Sequence, residues 1–139
     1  VIQMFTFSIP GEPRGKGRPR FMKNGHAYTD KKTRDYEMLV AQCYQAQGGK
    51  DYGVRPVGIS IVAYYHVPTS ISKKKQVELL SRHPAKKPDA DNVLKIVMDG
   101  LNGIAFKDDC QVCKASVKKL WGMDGHVVGP IEELEEAER

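Results

Sequence analysis

The sequence has 139 residues, 40% apolar and 28% charged, which is ordinary for a soluble globular domain. No apolar run approaches the roughly 20 residues that span a bilayer, and three cysteines are too few, and odd in number, for a secreted disulfide scaffold. The first ten residues lack the basic start and long apolar run of a signal peptide. Together these features predict a cytoplasmic protein without membrane segments.

The charge is distributed unevenly along the chain. The net charge is +5, but residues 124–139 carry six acidic residues and one basic residue, whereas residues 1–123 carry 21 basic and 11 acidic residues. A body this basic favours a polyanionic partner such as DNA, because neutralising phosphates releases condensed counterions. Lysines that are merely solvated would give the same charge, so charge alone leaves both interpretations open.

The spacing of apolar residues predicts strands where it alternates and helices where it repeats every three to four residues. In chain order, the predicted elements are strand 3–9, loop 10–20, hairpin 21–29, helix 33–47, strand 57–67, helix 73–82, helix 91–101 and strand 113–121. This order predicts one α+β domain, in which a mixed sheet packs with helices.

Turn and capping residues predict several of the boundaries. Asn24-Gly25 favours a type I′ turn, and Thr33 and Ser72 are expected to cap the first two helices. The domain is predicted to occupy residues 1–128. Residues 129–139 are predicted to form an acidic C-terminal tail, either a short helix or a disordered end.

The loop over residues 10–20 contains three prolines and three glycines, so it forms neither a helix nor a central strand. Its four cations are Arg14, Lys16, Arg18 and Arg20. Glycines between the cations would let them reach phosphates along a curved backbone; an exposed linker is the alternative. Lys73 and Lys74 are further DNA-binding candidates, since nearby DNA would compensate for positive charge in the first turn of a helix.

Two aspartates precede the third predicted helix. Asp89 and Asp91 project to the same side of an extended segment, and Lys95 and Asp99 follow at helical spacing. Carboxylates held a few ångströms apart repel, and proteins rarely arrange this without a cation. Oxygen ligands suit Mg²⁺, which can activate a water for phosphodiester hydrolysis. A helix cap with a surface salt-bridge ladder would give the same spacing.

A pair of aspartates and a pair of cysteines are further candidates for metal ligands. Asp108 and Asp109, ahead of the last predicted strand, could add a third carboxylate from across the fold. Cys110 and Cys113 have half of a zinc-knuckle spacing, but a strand would point them to opposite faces. Ordinary thiols are therefore the favoured interpretation of the two cysteines.

The segment PDADNVLKIVMDGLNG over residues 88–103, followed by KDDCQV over residues 107–112, closely resembles the RusA family of Holliday junction resolvases. The segments IPGEP at residues 9–13, KGRPR at residues 16–20 and YT at residues 28–29 are similar to that family's opening. The likeness covers roughly residues 5–121. It leaves out the acidic tail.

The resemblance implies a homodimer that binds four-way junctions and cuts two strands with Mg²⁺ during DNA recombination and repair. By motif, Asp89 and Asp91 match the family's metal-binding aspartates, and Lys95 matches its essential lysine. The third aspartate falls at Asp108 or Asp109, and we favour Asp109 because it directly precedes the C-Q-V segment. The alternatives are a non-catalytic module for branched DNA and a nuclease for another branched or flap DNA.

Overall fold

The strands of the main sheet do not follow one another in chain order. In a computed structural model, which describes residues 4–135, the elements are β1 (Met4–Pro10), β2 (Arg20–Phe21), β3 (Ala27–Tyr28), α1 (Lys31–Ala46), β4 (Val57–His66), α2 (Lys73–Leu80), α3 (Ala90–Leu101), β5 (Val112–Gly122) and β6 (His126–Glu133). The sheet order is β1-β6-β4-β5. Only β4 and β5 run parallel; β6 is antiparallel to both of its neighbours. The predicted α+β class with a mixed sheet and helices is confirmed.

Alternation along the strands decides which face of the sheet carries the core. In β1, Phe7 and Ile9 are buried while Ser8 between them is exposed, and β4 buries Ile59 and Ile61 around the exposed Ser60. The buried side chains form one cluster with apolar residues of α1 and α3. Burying an aliphatic or aromatic side chain contributes about 1.5–3 kcal/mol, so this single layer of contacts holds the domain together.

Helix α3 is fixed against α1 by a close approach of the two backbones. An added Cβ at Gly100 would lie 2.7 Å from Cβ of Val40 and 2.9 Å from the carbonyl oxygen of Glu37. The face of α3 turned to the core carries Val93, Ile96, Val97 and Leu101, all buried. This packing leaves the ridge with Asp91 and Lys95 exposed.

The expected acidic tail is corrected for its first residues. The proposed boundary after residue 128 lies inside β6, which is an interior strand of the sheet. Val127 and Ile131 are buried there, and Ile131 lies opposite Phe5 and Ile59. In the sequence, the neighbouring glutamates favoured an acidic tail over a strand, although buried and half-buried residues alternate along β6. Residues 136–139 of the predicted tail lie outside the described residues.

Two local predictions are also corrected. A type I′ turn needs positive φ at both central residues, but only Gly25, with φ of 86°, has it; Gly25 N instead donates to Met22 O at 2.9 Å. Asp30, not Thr33, occupies the N-cap position of α1, and Thr33 lies buried within the first turn. Ser72 caps α2 as predicted.

Between residues 4 and 135, no helix combines the length and apolar character needed to cross a membrane.

Candidate active site

The two aspartates of the acidic motif lie where the chain enters α3. Asp89 occupies the N-cap position and Asp91 the first turn, and both are exposed. The hydroxyl of Tyr65 donates to the carbonyl oxygen of Pro88 at 2.7 Å, which ties this entry to the carboxyl-terminal end of β4. Asp89 makes no capping hydrogen bond with its side chain, so its carboxylate oxygens remain available to a ligand.

The donor set at this entry fits a hard divalent cation. Mg²⁺ in proteins keeps several waters and takes one or two carboxylates, and carboxylate oxygens are its preferred protein ligands. Asp89 and Asp91 together supply that number. Among residues 4–135, however, no three His, Cys, Asp or Glu side chains gather as metal ligands would. The described part of one chain therefore supplies two carboxylates and no third one at this entry.

Lys95 points along the helix toward Asp99. Its ammonium lies 3.5 Å from Oδ1 of Asp99, and its side chain is 58% exposed. An exposed pair of this kind contributes little to stability, about 0.3–0.5 kcal/mol. The lysine side chain is therefore only weakly restrained, and its charge is accessible at the surface.

The sequence predicted that Lys16 is an exposed cation that binds phosphate. In the structure its side chain is instead paired with two carboxylates. Its Nζ lies 2.7 Å from Oε2 of Glu37 and 2.9 Å from Oδ2 of Asp99. Burial alone would lower the pKa of Lys16, but the hydrogen bonds and negative charges of Glu37 and Asp99 together raise it above its ordinary value. The ammonium thus links the basic loop to α1 and α3.

The backbone of the basic loop lies directly against the start of α3. Lys16 N donates to the carbonyl oxygen of Asn92 at 3.0 Å. An added Cβ at Gly15 would lie 2.9 Å from Cβ of Pro88 and 3.0 Å from Cβ of Asn92. Only a residue without a side chain permits this approach. From the sequence, Gly15 was predicted only to make the loop flexible.

A cleft of about 580 Å³ is lined by the basic loop, the start of α1 and the entry to α3. Its walls include Arg14, Arg18, Lys32, Lys87, Asp89 and Asn92. Arg20 in β2, and Lys73 and Lys74 at the start of α2, do not line it. The structure thus brings two of the predicted DNA-binding arginines to one of the predicted metal ligands.

Asp108 and Asp109 lie at the other end of α3. Twelve residues of helix separate this end from Asp89, a length of about 18 Å. The side chain of Asp108 caps the short turn before β5, and a hydrogen bond from Cys110 holds the pKa of Asp108 below its ordinary value. Since Mg²⁺–oxygen bonds are about 2.0–2.1 Å long, Asp109 does not reach an ion held by Asp89 of the same chain.

Three residues of this region carried no assignment from the sequence. Asn92 lines the cleft, and its place directly after Asp91 in the motif was the available signal. Tyr36 was predicted only as part of the apolar face of the first helix, and the sequence led to no prediction for Glu37 in the same helix. Only the tertiary fold shows that Glu37 binds Lys16.

Comparison with known proteins agrees with this geometry. A family model described as "Endodeoxyribonuclease RusA" matches residues 10–131. The chain is also 33% identical over 140 residues to the Bacillus subtilis (strain 168) protein named "Uncharacterized protein YqaN", covering 96% of this chain and 99% of that protein. The family match runs from the end of β1 into β6 and includes the acidic motif, the basic loop and Asp109. The chain belongs to the RusA family of endodeoxyribonucleases.

Proposed function

We propose that this protein is a Mg²⁺-dependent endonuclease that resolves four-way DNA junctions in recombination and repair. The observation that carries the proposal is the cleft in which Arg14 and Arg18 face Asp89. Cations that bind phosphates beside carboxylates that hold a metal are the components that phosphodiester hydrolysis needs. Membership in an endodeoxyribonuclease family supports the same conclusion.

Residues that line the cleft and residues on the adjoining start of α3 would have the following roles. Asp89 and Asp91 would hold Mg²⁺, which when bound lowers the pKa of a water and offsets negative charge on the phosphate. The guanidinium groups of Arg14 and Arg18 would bind phosphate oxygens of the strand and fix its register. Lys95, which is paired with Asp99 at 3.5 Å, would add positive charge beside the reacting phosphate.

We propose a homodimer in which each metal site takes ligands from two chains. Asp89 precedes the start of α3, and Asp109 follows the other end of this helix, which is about 18 Å long, so a second copy is needed to bring the two carboxylates together. The cap that Asp108 forms with Gln111 favours Asp109 as the contributing residue. Two such sites in a symmetric dimer would act on two strands of one junction.

The test is cleavage of a labelled four-way junction in Mg²⁺ and in EDTA, with flap and linear duplex DNA as comparison substrates. We expect metal-dependent paired cuts in the junction. Asp91→Asn should abolish cleavage while retaining junction binding, because it removes a ligand charge and keeps the shape of the side chain. Asp124→Asn, at an exposed turn, is the matched control and should cut normally.

Two other results would each replace the proposal. Junction binding without product in Mg²⁺ would indicate a non-catalytic module for branched DNA. Preferred cutting of the flap would indicate a nuclease for another branched substrate. Equal loss of binding and cleavage in Asp91→Asn would contradict a catalytic role for that carboxylate.

A further inference from the structure

A second, smaller cavity of about 210 Å³ opens beside the main cleft. It is lined by Arg14 from the basic loop and by Lys32, Asp35, Tyr36 and Leu39 from α1. The four helix residues share one face, because they are spaced three or four apart. Arg14 and Lys32 also line the main cleft, so the two cavities adjoin.

Tyr36 places a polar group without a partner in this region. The residue is 5% exposed, and its hydroxyl is buried with no hydrogen-bond partner among residues 4–135. Burial raises the pKa of Tyr36, so the hydroxyl stays protonated at neutral pH and is a hydrogen-bond donor. A buried donor left unpaired is costly to the folded state, which suggests that a ligand completes it.

The charges around Tyr36 specify the sign of that ligand. Arg14 and Lys32 are exposed cations, and the carboxylate of Asp35 lies 2.7 Å from Nζ of Lys31. Lys31 therefore offsets the one negative charge in the lining. Two cations and a buried hydroxyl donor match the oxygens of an anion such as phosphate.

We infer that this cavity is a subsite for a phosphate of the DNA strand, separate from the phosphate that is cleaved at Asp89. Tyr36 donates its hydroxyl hydrogen to a phosphate oxygen, while Arg14 and Lys32 neutralise the charge. The subsite deepens the proposed nuclease function and rests on it, since the same strand continues into the main cleft. It fixes where the strand lies before any bond is broken.

The test uses Tyr36→Phe, which removes only the hydroxyl. The probe is a fluorescent single strand of thymidines, titrated in EDTA and followed by anisotropy. We expect Tyr36→Phe to bind about 10- to 100-fold more weakly, as for one lost hydrogen bond to a charged group. Its midpoint of thermal unfolding should be equal or higher, because an unpaired buried donor has been removed.

Two control variants sharpen this test. Tyr64→Phe removes a hydroxyl from the half-buried Tyr64, whose ring stacks on His126, and should leave the affinity unchanged. Lys32→Gln should reduce the slope of log affinity against log salt by about 0.7, the value for one phosphate contact to a single strand.

Three results would overturn the subsite: no binding of the single strand by the wild type, unchanged affinity in Tyr36→Phe, or parallel losses of affinity and stability. The nuclease proposal is judged separately by cleavage in Mg²⁺. A wild type that binds the strand through Tyr36 but cuts no branched DNA would retain the subsite and reject the nuclease.

Discussion

Lys16 Nζ lies 2.9 Å from Oδ2 of Asp99, so the basic loop is joined by charge to the helix that begins at Asp89. The same carboxylate lies 3.5 Å from Nζ of Lys95. Asp99 thus connects the loop expected to bind DNA with the lysine expected to assist the chemistry. This arrangement makes the positions of the two elements depend on one another.

Lys16→Met tests whether this connection stabilises the domain. The substitution keeps the length of the side chain but leaves Glu37 and Asp99 as neighbouring negative charges. We expect the free energy of unfolding to fall by about 1–3 kcal/mol, the range for a partly buried charged hydrogen bond. Urea denaturation measures it. Lys31→Met breaks only an exposed pair with Asp35 and should cost under about 0.5 kcal/mol; equal losses would contradict a special role for Lys16.

The raised pKa of Lys16 predicts how this stabilisation varies with pH. A lysine with a higher pKa in the folded state binds its proton more tightly there, so its contribution is complete below the unfolded pKa. It is lost as the pH rises through the folded pKa. The difference in stability between wild type and Lys16→Met should therefore be constant from pH 7 to 9 and shrink above the ordinary value of 10.5. A difference that grew with pH would contradict this assignment.

Gly15→Ala tests the contact between the basic loop and α3 without changing any charge. The added methyl group would meet Cβ of Pro88 at 2.9 Å and Cβ of Asn92 at 3.0 Å, so the loop must move away from Asp89. We expect the rate of junction cleavage to fall at least about 10-fold, because small displacements of a substrate-positioning element have effects of this size or larger. Binding at low salt should change less, since every cation is retained.

Gly58→Ala provides the matched control for that substitution. Its added methyl would lie 3.3 Å from the flexible ends of Glu132 and Leu134, which can adjust, and Gly58 lies in β4 away from the cleft. Normal cleavage in Gly15→Ala, or an equal defect in both variants, would show that the contact with α3 does not position the loop.

The sequence predicted those features that short-range patterns encode. The strand of β1, helix α3 and the cap at Ser72 follow from alternation, helical spacing and side-chain chemistry within a few residues. The position of β6 depends on pairing with β1 and β4, which are far away in the chain. Because β6 contains glutamates, the sequence predicted an acidic tail from residue 129, and this prediction was wrong for the residues that form the strand.

The candidate site divides in the same way. Asp89 and Asp91 are two residues apart, so their proximity could be predicted from local geometry. The pairing of Lys16 with Glu37 and the burial of the Tyr36 hydroxyl depend on how the loop, α1 and α3 meet. The wide separation of Asp109 from Asp89 depends on the direction in which α3 crosses the sheet. No local pattern contains that information.

Two truncations test the correction to the carboxyl-terminal segment. A chain that ends at Glu135 keeps all of β6 and should unfold cooperatively, as the full chain does. A chain that ends at Val128 loses most of an interior strand, including Ile131, which is fully buried. Truncating one such side chain alone costs about 2–5 kcal/mol, so we expect no cooperative unfolding by circular dichroism. Cooperative unfolding of the shorter chain would show that the end of β6 is dispensable.

The proposed sharing of metal ligands between two chains can be tested by mixing inactive variants. Asp91→Asn and Asp109→Asn should each abolish cleavage when pure. In a dimer of one chain of each kind, one site carries both substitutions and the other carries neither. Mixing them should therefore restore about a quarter of the wild-type nicking activity for random pairing. The product should be a junction nicked in one strand, because only one site per dimer is intact.

The control for this experiment mixes Asp91→Asn with a chain carrying both substitutions, a pairing in which no site is intact. This mixture should stay inactive at every ratio. Light scattering and the exchange of a tagged chain establish that the dimers form and mix. If mixed dimers form but show no nicking, Asp91 and Asp109 do not act across the two chains. Since Asp91 lies in the first turn of α3 and Asp109 lies beyond the other end of this helix in the same chain, Asp109 would then have no part in the metal site.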